Sequence, residues 1–473
     1  MTALGVAERA SLRGFLADVR DDASRAGRPL IAVWRARGTS PAAGEPLDHF
    51  PLDLDEPHFA LELASRGISI CAAGEVAAVE TRGPDRFSAA ERAAHALFAD
   101  VRVGGDAALD PPRVAGPILV GGFAFDDEPR ATGAWRDFPA LRFWLPQSLL
   151  ARVGAQTWRT LALRVEPESD PEQALLALDA RLEARERESV GASCSAAPSF
   201  RVAADRTPEA YAATVTRALD SIHEGEFEKV VVARSCTLHG EDGFDRTKLL
   251  RGLRAQHPAC CVFAVGQKGA TFVGASPERL VRRMDTHVRT SVIAGSAPRG
   301  RTPEEDERLG RSLCESKKEQ TEHAIVRRAV RESLAPLCAS LAVPESPALL
   351  RLDGIQHLHT PVDAELRDAR TGLLALAASL HPTPAVGGAP RDVSLAWLGA
   401  NESLERGWYA GGIGWLAPDG DGELTVALRS ALLRGGEATL FAGAGVVEGS
   451  TPAGELAETR LKLRTLLTGL LEI

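Results

Sequence analysis

The sequence predicts a mixed α/β (α+β) fold, and three observations predict it. Short runs of β-branched and aromatic residues, bounded by glycine and proline, read as strands. Between them lie stretches whose apolar residues recur at helical spacing. No self-similarity appears at the period of a solenoid or propeller. With 473 residues, 44 % of them hydrophobic and 25 % charged, the chain is long enough to bury a sizeable core.

In chain order, "RPLIAVWRARG" reads as a strand and "AAERAAHALFADVR" as an amphipathic helix. "GPILVGGFAFD" reads as a strand running into a glycine-marked turn, and "FPALRFWLPQSLLARVG" as aromatic strands. "DPEQALLALDARLEARERE" is a helix that Asp170 caps, with Pro171 in its first turn. The small, polar stretch "SVGASCSAAPSFRVAADRT" reads as a linker over residues 189–206, dividing the chain into an N-terminal half (1–200) and a second region (206–473). There, "TPEAYAATVTRALDSIHEGEFEKVVVARS" reads as helix, turn at Gly225 and strand. Short strands follow, interrupted by one long helix, "EEDERLGRSLCESKKEQTEHAIVRRAVRESLAPL", and a C-terminal one, "TPAGELAETRLKLRTLLTGLLEI".

The formal charge is -9 with acids and bases interspersed, which argues against a nucleic-acid binder. The seven cysteines form no C-x-x-C, so neither a disulfide framework nor a structural zinc site is expected, and a reducing cytosol fits. The N-terminal stretch carries acids and no long apolar run, so neither a signal peptide nor a membrane span is read there.

Lysine is scarce: Lys229, Lys248, Lys268, Lys317, Lys318 and Lys462 are the only ones in a chain that otherwise uses arginine. Lys229 precedes an apolar strand run. A lysine there is ordinarily a solvated charge, but it can also act as a base, because a desolvated lysine loses its proton and an arginine does not. Glu278 in "GASPERL" is either a surface acid on a Ser-Pro turn or a buried carboxyl able to donate a proton. Glu322 lies on the long helix, and Glu455, Glu458 and Lys462 share one face of the last one. Solvated ion pairs explain them; so does a Mg²⁺ site, since that cation takes a few carboxylates from separate elements. "IAGSAPRG" and "FAGAGVVEGS" read as glycine-rich turns leaving strands, and exposed N–H groups around Gly443 can receive a carboxylate. Their spacing is not that of a dinucleotide fingerprint. His357, His359 and His381 are either core histidines or metal ligands. Arg429, read as lying within an apolar strand, needs an anion.

The order of these segments carries more than any one of them. "EKVVVARS", "FVGASPERL", "IAGSAPRG", "EHAIVRRAV", "GIQHLHT", "LHPTPAVGG", "WYAGGIGW", "VALRSALL" and "FAGAGVVEGSTPAGELAETRLK" together resemble the chorismate-utilising enzymes, densely over residues 206–470. "HPTPAVGG" and a lysine at position 229 look like the isochorismate and salicylate synthases, and "IAGSAPRG" departs from the form common in the aminating branch.

The resemblance implies an anthranilate synthase component I-like fold, in which large antiparallel sheets face each other with helices flanking them. It implies that the linker joins two halves of one fold and that residues 206–473 form the chorismate-binding region. It also implies roles: Lys229 activates water for attack at ring C2, and Glu278 protonates the departing C4 hydroxyl. Glu322 and Glu458 bind Mg²⁺, with Glu455 nearby. Arg429, the backbone around Gly443, and Lys462 hold carboxylates. Gly295, Ser296, His357, Ala385 and Tyr409 line the ring. The chemistry is consistent, because a dianionic substrate needs cations in an acidic chain, and a hydroxyl shift needs a base and an acid with pKa values pushed in opposite directions. The expectation is a monomeric, cytoplasmic isochorismate synthase of menaquinone or siderophore biosynthesis, using Mg²⁺ and engaging neither nucleic acid nor membrane. Salicylate synthase, anthranilate synthase and a non-catalytic chorismate binder are the alternatives.

Overall fold

Val230, Val231 and Val232 are all but wholly buried, which places their strand inside a sheet rather than at its rim. In the computed structural model, which describes residues 4–38, 46–49, 55–105, 110–130, 133–188, 200–241 and 243–471, the strands gather into one sheet of 13 strands and one of 10. Pairing is antiparallel except where Leu30–Arg37 meets Val101–Gly105 in parallel. The inner faces of both sheets contribute to one apolar core, and an edge contact between Phe59 of the larger sheet and Trp144 of the smaller marks where they meet. Helices cover the outer faces: Val6–Ala26 and Pro171–Glu188 pack over one end of the larger sheet, and Arg246–Gln256 and Pro452–Leu471 over the other.

Both halves of the chain enter both sheets. In the larger, His58–Leu63 pairs with Cys261–Gln267; in the smaller, Leu119–Phe123 pairs with Gly412–Leu416.

Several local expectations meet the structure directly. Asp170 accepts from the Glu172 N–H at 2.9 Å at the start of its helix, and Gly225 takes φ +79 before the strand Lys229–Gly240. Others need correcting. Of the linker, 189–199 lie outside the described residues, and Phe200–Ala204 is an edge strand paired with the Lys229 strand. The long helix is two, Pro303–Glu315 and Lys317–Leu334, because Ser316 leaves helical geometry and caps the second with its side chain on the Glu319 N–H. The helices Arg246–Gln256, Leu373–Leu380 and Arg391–Asn401 interrupt stretches read as strands alone. Gly121 and Gly122 are not in a turn but inside a strand, where a Cβ on Gly122 would sit 2.3 Å from the Gly412 carbonyl.

One buried charge network fixes the strands around the cavity described below. The Arg406 guanidinium pairs with Glu402 at 2.6 and 2.8 Å and donates to the Val386 and Val231 carbonyls, each at 2.7 Å. Glu402 in turn accepts from the Ala233 N–H at 2.8 Å. Every polar atom of that carboxylate is thereby engaged, the condition under which a buried ion pair is tolerated. Replacing Arg406 with leucine leaves Glu402 buried without a counter-charge, and should lower stability by about 3–5 kcal/mol in denaturant unfolding.

Candidate active site

Two of the places where the chain passes from one sheet to the other each deliver a candidate residue. Ala270–Ser276 belongs to the larger sheet and Arg279–Met284 to the smaller, with Glu278 between them. Gly422–Val426 and Ser430–Arg434 make the reverse passage, with Arg429 between them at φ +46. Arg429 is therefore not within a strand but at a left-handed bend, a conformation that is strained for a bulky residue. The crossings brace each other: the Val426 N–H donates to the Glu278 carbonyl at 3.0 Å and the Ala275 N–H to the Arg429 carbonyl at 3.1 Å.

Between the sheets lies a narrow cavity, about 70 Å³ of free volume, lined by Glu278, Gly295, Ser296, Glu322, His357, Ala385, Tyr409, Arg429, Gly443, Glu458 and Lys462. Lys229 lies behind Glu322 at the cavity wall, its side chain wholly buried and its Nζ 2.8 Å from Glu322 Oε1. Glycine makes that contact possible. Gly443 and Gly445 are inside the strand Glu437–Val446, not in a turn leaving it, and stand opposite Ala233 and Val231. A Cβ on Gly445 would lie 2.2 Å from Glu322 Oε1 and 2.9 Å from Lys229 Cε. Gly295 likewise sits inside a strand, at a bulge with φ +82.

The carboxylates come from two helices. Glu322 and Glu319 project from Lys317–Leu334, and Glu455 and Glu458 from Pro452–Leu471. All four acids meet a lysine: Glu322 with Lys229, Glu455 and Glu319 with Lys318 at 2.9 and 3.1 Å, and Glu458 with Lys462 at 2.7 Å. Burial alone would raise the Glu322 pKa, but the Lys229 and Lys318 ammoniums outweigh it and hold it below the usual carboxylate range. Burial and the neighbouring Glu458 charge push Glu455 up to about 7. Lys462 also donates to the Gly443 carbonyl at 3.0 Å; burial works against its charge, but Glu458 and Glu322 raise its pKa.

Glu278 is 5 % exposed, and burial lifts its carboxyl to about 7 against the pull of Lys229 and Lys462. Arg429 Nη2 donates to His357 Nε2 at 2.6 Å, and His357 Nδ1 lies 3.0 Å from Ser296 Oγ. Arginine only donates, so the imidazole is neutral with its proton on Nδ1. Burial and the Arg429 charge hold its pKa well below normal. The Tyr409 ring stacks on Phe441 at 5.3 Å. His381 stands apart, its Nε2 donating to the Phe125 carbonyl at 3.0 Å.

Among the described residues no group of three His, Cys, Asp or Glu side chains is drawn together tightly enough to hold a metal, because each acid leans toward its lysine. The donor set is nonetheless all oxygen, and Glu455 Oε2 is buried without a hydrogen-bond partner, which suits a hard cation. Lys318 and Glu319 were missed in the sequence, and Gly445 was read with Gly443 as a turn glycine. The scarcity of lysine pointed to Lys318 as much as to Lys229, and Glu319 lies one helical turn before Glu322.

The chain matches the family model described as chorismate binding enzyme over residues 44–471. It is 38 % identical to a salicylate biosynthesis isochorismate synthase of Pseudomonas aeruginosa over 82 % of this chain and 80 % of that protein. It is 34 % identical to the isochorismate synthase MenF of Bacillus subtilis over 75 % of each. The fold matches the solved structure of the menaquinone-specific isochorismate synthase MenF of Escherichia coli with a TM-score of 0.76, at 24 % identity, over 96 % of this chain and 99 % of that one.

The Glu278 carboxyl has a stability consequence. Above its ordinary value of 4.5 and up to about 7, the folded chain keeps a proton that the unfolded chain has lost. Its contribution is fully present below that ordinary value and is lost as pH rises through the folded pKa. Replacing Glu278 with glutamine should therefore stabilise the protein well above neutral pH, by on the order of 3 kcal/mol. The gap should close in acid, as followed by thermal unfolding across pH.

Proposed function

The chain belongs to the chorismate-binding enzyme family, in its isochorismate synthase branch, and we propose that the cavity between the sheets is where it isomerises chorismate to isochorismate. The observation that carries this assignment is a cavity lined by a buried carboxyl with a pKa near 7 and by a glutamate that a wholly buried lysine touches from behind, beside further carboxylates and cations.

Lys229 is the base. Its Nζ takes a proton from water as the oxygen bonds to ring C2, the C1–C2 double bond shifts to C1–C6, and the C5–C6 double bond shifts to C4–C5, expelling the C4 oxygen. Glu278 is the acid. It gives its proton to the C4 hydroxyl, which leaves as water, so the ring gains and loses one hydroxyl and the product is an isomer. Glu278 suits this role because its dry setting keeps it protonated near neutrality. Glu322 and Glu458 would hold Mg²⁺, with Glu455 alongside. When bound, the ion supplies positive charge and a coordination site for the ring carboxylate. Arg429 and Lys462 hold carboxylates, the Gly443 backbone receives one of them, and the Arg429–His357–Ser296 chain orients the Ser296 hydroxyl toward the ring. Gly295, Ala385 and Tyr409 complete the enclosure.

One chain supplies every one of these residues, which supports a monomer. Among the described residues no helix is long and apolar enough to cross a membrane, and six free cysteines fit a reducing compartment, which supports a cytoplasmic setting.

Incubation with chorismate and Mg²⁺ should yield isochorismate, and chelation should abolish the reaction. Salicylate accumulating with pyruvate would overturn the assignment. Lys229→Ala should lower kcat by ~10²–10⁴-fold while chorismate binding, followed by calorimetry, persists. The pH profile gives a separate check: kcat/KM should fall as pH rises through about 7, where Glu278 loses its proton.

A further inference from the structure

Arg429 borders a second chamber. Beyond it lies a cavity of about 320 Å³ lined by Gln256, His257, Asp353, Gly354, Ile355, Leu461, Lys462, Arg464, Thr465 and Thr468. His257 ends the helix Arg246–Gln256 and is 5 % exposed, yet neither ring nitrogen has a hydrogen-bond partner among the described residues. Arg429 Nη1 is also buried without a partner, although Nη2 is committed to His357 in the catalytic cavity. Buried polar groups normally find partners, so the unpartnered His257 ring, beside an arginine with a donor to spare, calls for a ligand in this chamber. Three cationic side chains line it, Arg429, Lys462 and Arg464, against the single acid Asp353. Burial and the Arg429 charge lower the His257 pKa, which favours a neutral ring with one N–H to donate.

We propose that this chamber is a binding site for a small oxyanion, a carboxylate or a phosphate, held by His257 and Arg429 from the side opposite the catalytic cavity. Because Arg429 serves both cavities, occupancy of the chamber weakens chorismate binding without touching Lys229 or Glu278. The site is a regulatory partner of the proposed active site, and its effect on turnover rests on that assignment; its existence does not.

The probes are inorganic phosphate and pyruvate, with chloride at matched ionic strength as the control. Each should bind the full-length protein in calorimetry, whether or not chorismate is turned over. In initial-rate assays KM for chorismate should rise to a plateau, about five-fold or more, with little change in kcat. An anion entering the catalytic cavity would instead raise KM without limit. His257→Phe fills the chamber and should remove both binding and inhibition while leaving the basal rate unchanged; His257→Gln keeps a donor and should retain part of both. If His257→Phe fails to fold, Thr465→Trp blocks the chamber from the C-terminal helix. Binding by one probe alone identifies the kind of oxyanion accepted. Binding by neither, unlimited competitive inhibition, or undiminished binding in a folded chamber-filling variant overturns the proposal.

Discussion

A buried charge needs a partner, and at Lys229 that partner is a glutamate 2.8 Å away on a different structural layer. The lysine opens a strand of the larger sheet and the glutamate rides on a helix that packs against the smaller one. Their meeting fixes how helix and strand sit together. It demands glycine at 445, since any side chain there would occupy the space where the two charges touch. The helix break at Ser316 starts Lys317–Leu334 afresh, so the helix that carries Lys318, Glu319 and Glu322 has its own cap and direction. The Arg406–Glu402 network holds the same strand from the far side.

The site balances its own charge although the chain carries a net -9. Glu322, Glu455 and Glu458 are matched by Lys229, Lys318 and Lys462. Half of the chain's six lysines are spent on these three pairs. A divalent cation and a dianionic substrate bring charges that cancel, so the loaded cavity is no more charged than the one seen here. Lysine suits such exchangeable pairing better than arginine, whose planar fork favours fixed bidentate bonds like those of Arg406 to Glu402.

What the sequence made legible was local. Asp170 at a helix start, the common face of Glu455, Glu458 and Lys462, and the strand behind Lys229 each follow from spacing within a few residues. The order of motifs then pointed to a family, which the match over residues 44–471 and the relatives bear out. What stayed hidden depends on distant partners. Ser316 lies in a run that reads as helix throughout, and its break is set by packing. Glycines 443 and 445 look like turn residues, and only the neighbouring side chains show that strand backbone is needed without a Cβ. Arg429 reads as strand because its neighbours are apolar; the crossing between sheets that bends it is a property of topology. Glu402 and Arg406, four apart, look like a surface ion pair until the fold buries them.

The sharing of both sheets between the chain's two halves bears on how the protein is made. Leu63 pairs with Cys261, and Phe123 with Gly412, so each sheet closes only when residues hundreds of positions apart have both emerged. At ~5–20 residues per second, the strand carrying Phe59 and Leu61 waits roughly 10–40 seconds for its partner. Over that interval its apolar edge is an open template for strands of other nascent chains. Success in the cell is thus governed less by the stability of the finished molecule than by how well the growing chain is shielded until its second half arrives.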